Sequence, residues 1–273
     1  MLKALVFDVD GTLADTERLG HRVAFNQAFA EAGLDWVWDE SLYGDLLAVT
    51  GGKERLRHFI NTYRPKVPVQ ESKLSDFIEN LQATKTRHYT ALVESDGIPV
   101  RPGIIRLMKE GMAAGLRLAI ATTTTLENVQ ALLSASFGSD AATWFEVIGA
   151  GEIVPNKKPA PDIYEYVLAE LGLEAKDCLA FEDSENGLRS SLGAGIPTLV
   201  TVNDYTSDQD FTGALLVTDH LGEPEQPLIC LSEAPWKKAF SLVDIDVLKQ
   251  LHERWTRQKN KTTINPETDF AIL

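Results

Sequence analysis

The stretch Leu5-Val6-Phe7-Asp8-Val9-Asp10-Gly11-Thr12-Leu13 constrains the fold more than any other part of the chain. An apolar run ends in two carboxylates one residue apart, and then in a glycine that lets the backbone turn. The run predicts a buried parallel strand over residues 4–9 with its reactive groups at the carboxyl end, where open α/β sheets bind ligands. A strand sends residues i and i+2 to one face, so Asp8 and Asp10 are expected to converge. Clustered carboxylates repel unless a cation stands between them, and a hard divalent ion such as Mg²⁺ suits oxygen ligands.

The grammar after that strand changes twice. Asp15 or Thr16 offers a helix N-cap, and apolar positions from Val23 to Ala32 carry a helix that stops at Gly33. A helical pattern follows over about 39–48, then the glycine pair of Thr50-Gly51-Gly52-Lys53-Glu54-Arg55. Helical periodicity resumes at Leu56, Phe59, Ile60 and Tyr63, breaks at Pro65 and Pro68, and returns from Leu74 to Leu92 without any strand alternation.

From Arg101-Pro102-Gly103 onward, helices alternate with strands. Helices are expected at about 104–114, 126–136, 162–171 and from the acidic pair Glu182-Asp183 to Gly195, with strands at 116–121, 145–149, 178–181 and 197–202. That alternation argues for an α/β, doubly wound Rossmann-like parallel sheet, with an all-helical cap inserted after its first strand. The expected division is a core of residues 1–14 and 98–222, a cap of 15–97, and a C-terminal extension of 223–273. In the extension, 228–231 reads as a short strand and 244–257 as an amphipathic helix with Val247, Leu248, Leu251 and Trp255 on one face. Lys259 to Leu273 is polar and expected to be disordered.

Composition narrows the partners. With 273 residues, 44% hydrophobic and 24% charged, the chain is an ordinary globular one, and its net charge of -14 disfavours nucleic acid and anionic membrane. A metal ion and a few local cations can still make an anion pocket in an acidic protein. Cys178 and Cys230 form neither a metal-ligand spacing nor a disulfide framework, no apolar run approaches the roughly 18 residues of a membrane span, and Met1 leads straight into the first strand without a cleavable signal. A cytoplasmic or other reducing location is expected.

The string DVDGT at residues 8–12 resembles the signature of the haloacid dehalogenase superfamily. The resemblance implies that Asp8 is a nucleophile and Asp10 a general acid/base. The other motifs follow in order: Thr122 after a strand, Lys158 before the first proline of Lys-Lys-Pro-Ala-Pro-Asp, and Glu182-Asp183 at a later strand end. Four threonines in a row are also ordinary loop chemistry, Lys157 rivals Lys158, and a helix N-cap alone would explain Asp183. The resemblance implies Mg²⁺ held by Asp8, the main-chain carbonyl of Asp10, and Asp183, with Glu182 supporting it through water.

A narrower resemblance, over about residues 1–222, is to CbbY-type sugar-bisphosphate phosphatases. It rests on Leu13-Ala14-Asp15-Thr16-Glu17, Gly20-His21-Arg22, Thr50 to Arg55, Arg101-Pro102-Gly103 and Lys157 to Tyr164. In that family the substrate is xylulose 1,5-bisphosphate, a small molecule, and a monomer is expected. Substrate contacts are expected from Glu17, His21, Thr50, Gly51, Gly52, Lys53, Arg55, Thr123 and Thr124. Lys53 and Arg55 equally suit solvated helix charges, and His21 a packed helix residue. A sugar-phosphate mutase of the β-phosphoglucomutase kind shares fold, nucleophile and metal, and a non-catalytic phosphosugar sensor is the alternative outside enzymes. Because every motif precedes residue 223, truncation there is expected to leave a folded hydrolase.

Overall fold

The computed structural model describes residues 1–233 and 240–264, apart from the side chains of Asp96 and of 260–264. Six strands form one parallel sheet in the order β3-β2-β1-β4-β5-β6: β1 Ala4–Phe7, β2 Arg117–Ala121, β3 Phe145–Gly149, β4 Cys178–Glu182, β5 Thr198–Thr201 and β6 Leu216–Thr218. β1 lies between β2 and β4, with Phe7 opposite both Ile120 and Phe181. The Phe7 and Phe181 rings stack at 4.5 Å.

The two faces of the sheet differ in side-chain size. Leu5, Phe7, Leu118, Ile120, Leu179 and Phe181 point into the main core. Ala4, Val6, Ala119, Ala121, Cys178 and Ala180 face the other way, onto Ile163, Tyr164 and Val167 of a helix at Asp162–Leu171. Small residues on that face let the helix approach closely. A Cβ on Gly149 would already stand 2.9 Å from Val167.

Four helices make the inserted cap: α1 Arg22–Glu31, α2 Glu40–Leu46, α3 Gly52–Tyr63 and α4 Leu74–Asp96. Its core is aromatic, with Phe25, Phe29, Trp36, Trp38, Tyr43 and Phe59 buried together. Asp39 caps α2 by accepting from the Leu42 N–H at 2.8 Å. The two chain crossings into the cap run side by side: Ala14 bridges Val100 antiparallel, and the Arg101 N–H donates to the Leu13 carbonyl at 2.9 Å. The remaining helices are α5 Ile104–Ala113, α6 Leu126–Leu132, α7 Asp162–Leu171, α8 Glu185–Gly193 and α9 Ile245–Ile264.

Several expectations are corrected. β1 stops at Phe7 rather than residue 9, because Thr12 and Leu13 turn their N–H groups back onto the Val9 carbonyl. Thr16 precedes a short helical turn at Glu17–His21 that runs into α1, and does not cap it, since its hydroxyl donates to Asp10. β6 has only three residues, too few to show alternation in sequence, and 228–231 contributes only an isolated bridge from Cys230 to Thr218. The last helix runs through Lys259 to Ile264, where disorder was expected; residues 265–273 lie outside the described residues. Val243, Ile245, Val247, Leu248 and Leu251 belong to the same core as Leu5 and Phe7, so the C-terminal helix packs into the main core beside α5. Among the described residues no helix is long and apolar enough to cross a membrane.

Candidate active site

The sheet order places its topological switch at β1 and β4, whose carboxyl ends lie side by side, and a ligand crevice is expected outside them. Asp8 follows β1 and keeps to the strand direction for one more step, its N–H donating to the Phe181 carbonyl at 3.0 Å. Glu182 closes β4 and Asp183 follows it. One ligand oxygen from each of Asp8, Glu182 and Asp183 lies within 4.8 Å of the others, and all three residues are buried.

Lys158 reaches this trio from the loop before α7. Its Nζ donates to Asp8 Oδ1 at 2.6 Å, to Glu182 Oε1 at 2.7 Å and to the Ala121 carbonyl at 2.9 Å. Burial works against the ammonium, but the Asp8 and Glu182 carboxylates outweigh it and hold its pKa above the ordinary lysine value. Lys157 points elsewhere, to Glu54 at 3.0 Å, which settles the geometric rivalry between the two lysines.

One ammonium does not neutralise three buried carboxylates. Burial and then Glu182 push the Asp183 carboxyl up to about 7. Burial also raises Asp8, although Lys158 opposes it. Glu182 Oε1 accepts from Tyr164 Oη at 2.5 Å, while its Oε2 is buried without a hydrogen-bond partner. Gly187 makes room for that oxygen, since a Cβ there would stand 1.8 Å from it. An orphaned oxygen beside two disfavoured carboxylates fits a hard divalent cation such as Mg²⁺.

Asp10 does not join the trio. The turn after β1 sends its carboxylate toward the cap, where it accepts from Thr16 Oγ1 at 2.6 Å and meets His21 Nε2 at 2.8 Å. The two carboxylates therefore keep different partners, Lys158 for Asp8 and Thr16 with His21 for Asp10, while both line one cavity of about 350 Å³. Burial alone would raise Asp10, but His21 and Thr16 bring its carboxyl down to about 2.

Thr122 is buried at the end of β2; its N–H is taken by the Gly149 carbonyl, and its Oγ1 accepts from the Thr124 N–H at 3.2 Å, which leaves its own O–H free to donate. The Thr124 hydroxyl accepts from Asn128. Thr123 lines the first cavity and also a second, of about 730 Å³, between core and cap. Asp10, Glu17 and Arg55 are likewise shared, so the two form one cleft. Thr50 belongs to the inner part, and His21, Gly51, Gly52 and Lys53 to the outer.

The cap wall is a set of fixed charges. Tyr43 Oη donates to Glu17 Oε2, and Arg55 Nη1 donates to Tyr43 Oη at 2.9 Å. Lys53 pairs with Glu152 at 2.5 Å. Lys85, which the sequence reading passed over, is 4% exposed with its Nζ 2.6 Å from His21 Nδ1 and over the rings of Phe25 and Tyr89. The signal for it was available: Ile78, Leu81, Lys85 and Tyr89 fall at helical spacing on one stripe, so this lysine sits on an apolar face. Tyr43 and Asn203 were also missed, and no spacing marks them; Arg101 and Tyr164 stood in the motifs that carry the resemblance, without a role assigned to either.

A parallel sheet in this order, a helical cap entered after its first strand, and acidic groups at the β1 and β4 ends together define a capped α/β hydrolase. Residues 2–195 match the family described as haloacid dehalogenase-like hydrolase, and the chain belongs to that family. It is an enzyme, a phosphatase of that family. The chain is 53% identical over 227 residues to protein CbbY (plasmid) of Cupriavidus necator, covering 83% of this chain and 89% of that protein. The crystal structure of CbbY from Rhodobacter sphaeroides in complex with phosphate is 45% identical with a TM-score of 0.75, covering 81% of this chain and 95% of that one. A single-residue mutant of that protein in complex with xylulose-(1,5)bisphosphate gives the same TM-score of 0.75. A β-phosphoglucomutase from Clostridium difficile, 18% identical with a TM-score of 0.69 over 94% of this chain and 100% of that one, shares the fold.

Proposed function

We propose that this enzyme is a Mg²⁺-dependent sugar-bisphosphate phosphatase whose substrate is xylulose 1,5-bisphosphate. The observation that carries the reading is the separation of two aspartates over one cavity. Asp8 sits with Lys158 on the side of the acidic trio, and Asp10 faces the cap in a hydrogen-bonded cradle of its own. Phosphoryl transfer asks for this: an in-line nucleophile, neutralised equatorial oxygens and a separate proton carrier for the leaving group.

Asp8 attacks phosphorus and becomes an aspartyl phosphate as the bond to the sugar oxygen breaks. Asp10, ionised at rest, takes up a proton from solvent as substrate binds, passes it to the departing sugar oxygen and then takes a proton from the water that attacks the intermediate. The free O–H of Thr122 and the Lys158 ammonium meet the phosphoryl oxygens. Asp8, Asp183 and the Asp10 main-chain carbonyl would hold Mg²⁺, with Glu182 supporting it, and the ion would supply charge neutralisation to the transferred group.

The substrate class rests on the outer part of the cleft. The space is large enough for the rest of a sugar bisphosphate and is edged by Arg55, Lys53 and Lys85, while Glu17 offers an acceptor for sugar hydroxyls. A relative of 45% identity has been solved with xylulose-(1,5)bisphosphate. The deciding experiment is a phosphate-release panel of sugar mono- and bisphosphates with and without Mg²⁺. Fastest release from the xylulose bisphosphate, lost on chelation, is expected. Accumulation of an isomeric sugar phosphate in place of free phosphate would assign the chain to mutase chemistry.

A further inference from the structure

We propose that Asn203 is a positioning residue for the Asp183 carboxylate, and that Tyr205, seated in the cap, fixes where Asn203 stands, so that the docked cap strengthens cation binding. The inference rests on the reading of Asp183 as a cation ligand.

Asn203 Nδ2 donates to Asp183 Oδ2 at 2.7 Å. Its Oδ1 is already committed, accepting from the Tyr205 N–H at 2.9 Å, so the amide cannot be turned around without losing both bonds. The loop is closed again by Thr206, whose Oγ1 accepts from the Asn203 N–H at 3.0 Å and whose own N–H donates to the Asn203 carbonyl at 3.1 Å. On the far side, Gly11 leaves no slack. A Cβ there would stand 2.2 Å from Asp183 Oδ2 and 2.7 Å from Asn203 Nδ2, so carboxylate and amide are pressed against the turn that follows Asp10. A partner that orients a ligating carboxylate in this way typically changes metal affinity by about 10–100-fold when removed.

Two residues on, the same loop leaves the core. The Tyr205 ring meets Tyr43 of α2 edge-on, with centroids 6.0 Å apart at 65°, and packs with the cap's aromatic cluster. Gly44 admits it, since a Cβ at that position would stand 3.1 Å from the Tyr205 ring. Asp204 meets Arg18 Nη1 at 3.0 Å, an exposed pair of little strength. The path from cap to ligand is therefore Tyr43 and Gly44, Tyr205, Asn203, Asp183, four contacts of which the structure gives each one. Tyr205 Oη has no hydrogen-bond partner among the described residues, so the link runs through the ring and not the hydroxyl.

The test uses the full-length protein without substrate and reads the rise in Tm as Mg²⁺ is titrated, with Mn²⁺ binding followed by electron paramagnetic resonance as a second readout. Asn203→Ala is expected to need about tenfold more cation for half of the effect. Tyr205→Ala is expected to shift the titration in the same direction, whereas Tyr205→Phe, which keeps the ring, titrates as wild type. An Asn203→Ala titration that overlays wild type overturns the positioning role. A Tyr205→Ala titration that overlays wild type while Asn203→Ala is shifted overturns the link to the cap. Failure of either cation to bind the wild type overturns the cation site itself, and this inference with it.

Discussion

His21 of the cap and Asp10 of the core meet at 2.8 Å through His21 Nε2, while the other ring nitrogen faces Lys85 Nζ at 2.6 Å. An ammonium only donates, so Nδ1 accepts, and Nε2 carries the proton aimed at Asp10. A lysine deep in the cap thereby fixes which way a histidine serves a carboxylate in the core.

That arrangement gives a pH dependence. Burial pushes Lys85 down to about 8, so the ammonium is present at neutral pH and lost as pH rises through that value. kcat/KM is expected to fall above about pH 8, and Lys85→Met is expected to lower it at pH 7 and abolish the falling limb. A pH–rate profile of both proteins checks this, and an unchanged limb in the variant would remove Lys85 from the chain of groups acting on Asp10.

Asp8→Asn keeps the shape of the side chain and removes its nucleophilic charge. Turnover is expected to drop by several orders of magnitude with the fold intact, measured as phosphate release beside a circular dichroism spectrum. Rates near wild type would refute an aspartyl phosphate on Asp8.

Asp183 links the cation to pH. Its carboxyl, moved from the ordinary 3.8 to about 7, binds a proton in the folded protein that the unfolded chain has already released. Stability of the cation-free protein from this group is therefore lost as pH rises from about 4 through about 7. A bound cation competes with that proton and reverses the trend. The Mg²⁺-induced increase in Tm is expected to grow from pH 5.5 to pH 8, and a Tm increase independent of pH would contradict the linkage.

Lys53→Ala tests the distal phosphate. Lys53 lies on the outer cavity, paired with Glu152, and a small aryl phosphate would not reach it. KM for xylulose 1,5-bisphosphate is expected to rise far more than KM for the aryl phosphate. Equal effects on the two would place the second phosphate elsewhere, with Arg55 the next cation to replace.

Truncation after residue 222 is now expected to fail. It removes Val243, Ile245, Val247, Leu248 and Leu251 from the core. At about 1.5–3 kcal/mol per buried side chain, the loss is on the order of 10 kcal/mol, comparable with the whole stability of a typical domain. Soluble expression and a cooperative melt of the truncated chain are the measurements, and a wild-type melt would show that α9 is dispensable.

The parts of this protein that were legible in its sequence are those where one local rule acts alone. Inner parallel strands are apolar on both faces, so β1, β2 and β4 announce themselves, and Asp8, Thr122 and Asp183 stand at their ends. Asp10 was legible as a residue but not in its direction, because the turn at Gly11 replaces strand geometry with contacts to Thr16 and His21, six and eleven residues on. Asn203 and Arg101 act only through distant partners. Arg101 gives its guanidinium to carbonyls of Gly11, Thr201, Val202 and Asp219, a role that no spacing could encode.

The paired crossings at Ala14 and Val100 also decide how the cap can move. A body hung from one strand can swivel and drift, whereas two strands bonded to each other resist twisting and shear and bend easily only across their common plane. A cap swinging on such a join would follow one arc, and each closure would return Glu17 and Arg55 to the cavity that Asp10 also lines. The accuracy of a site assembled from two halves is set by a join whose first strand, at Ala14, is itself bridged to Asp10.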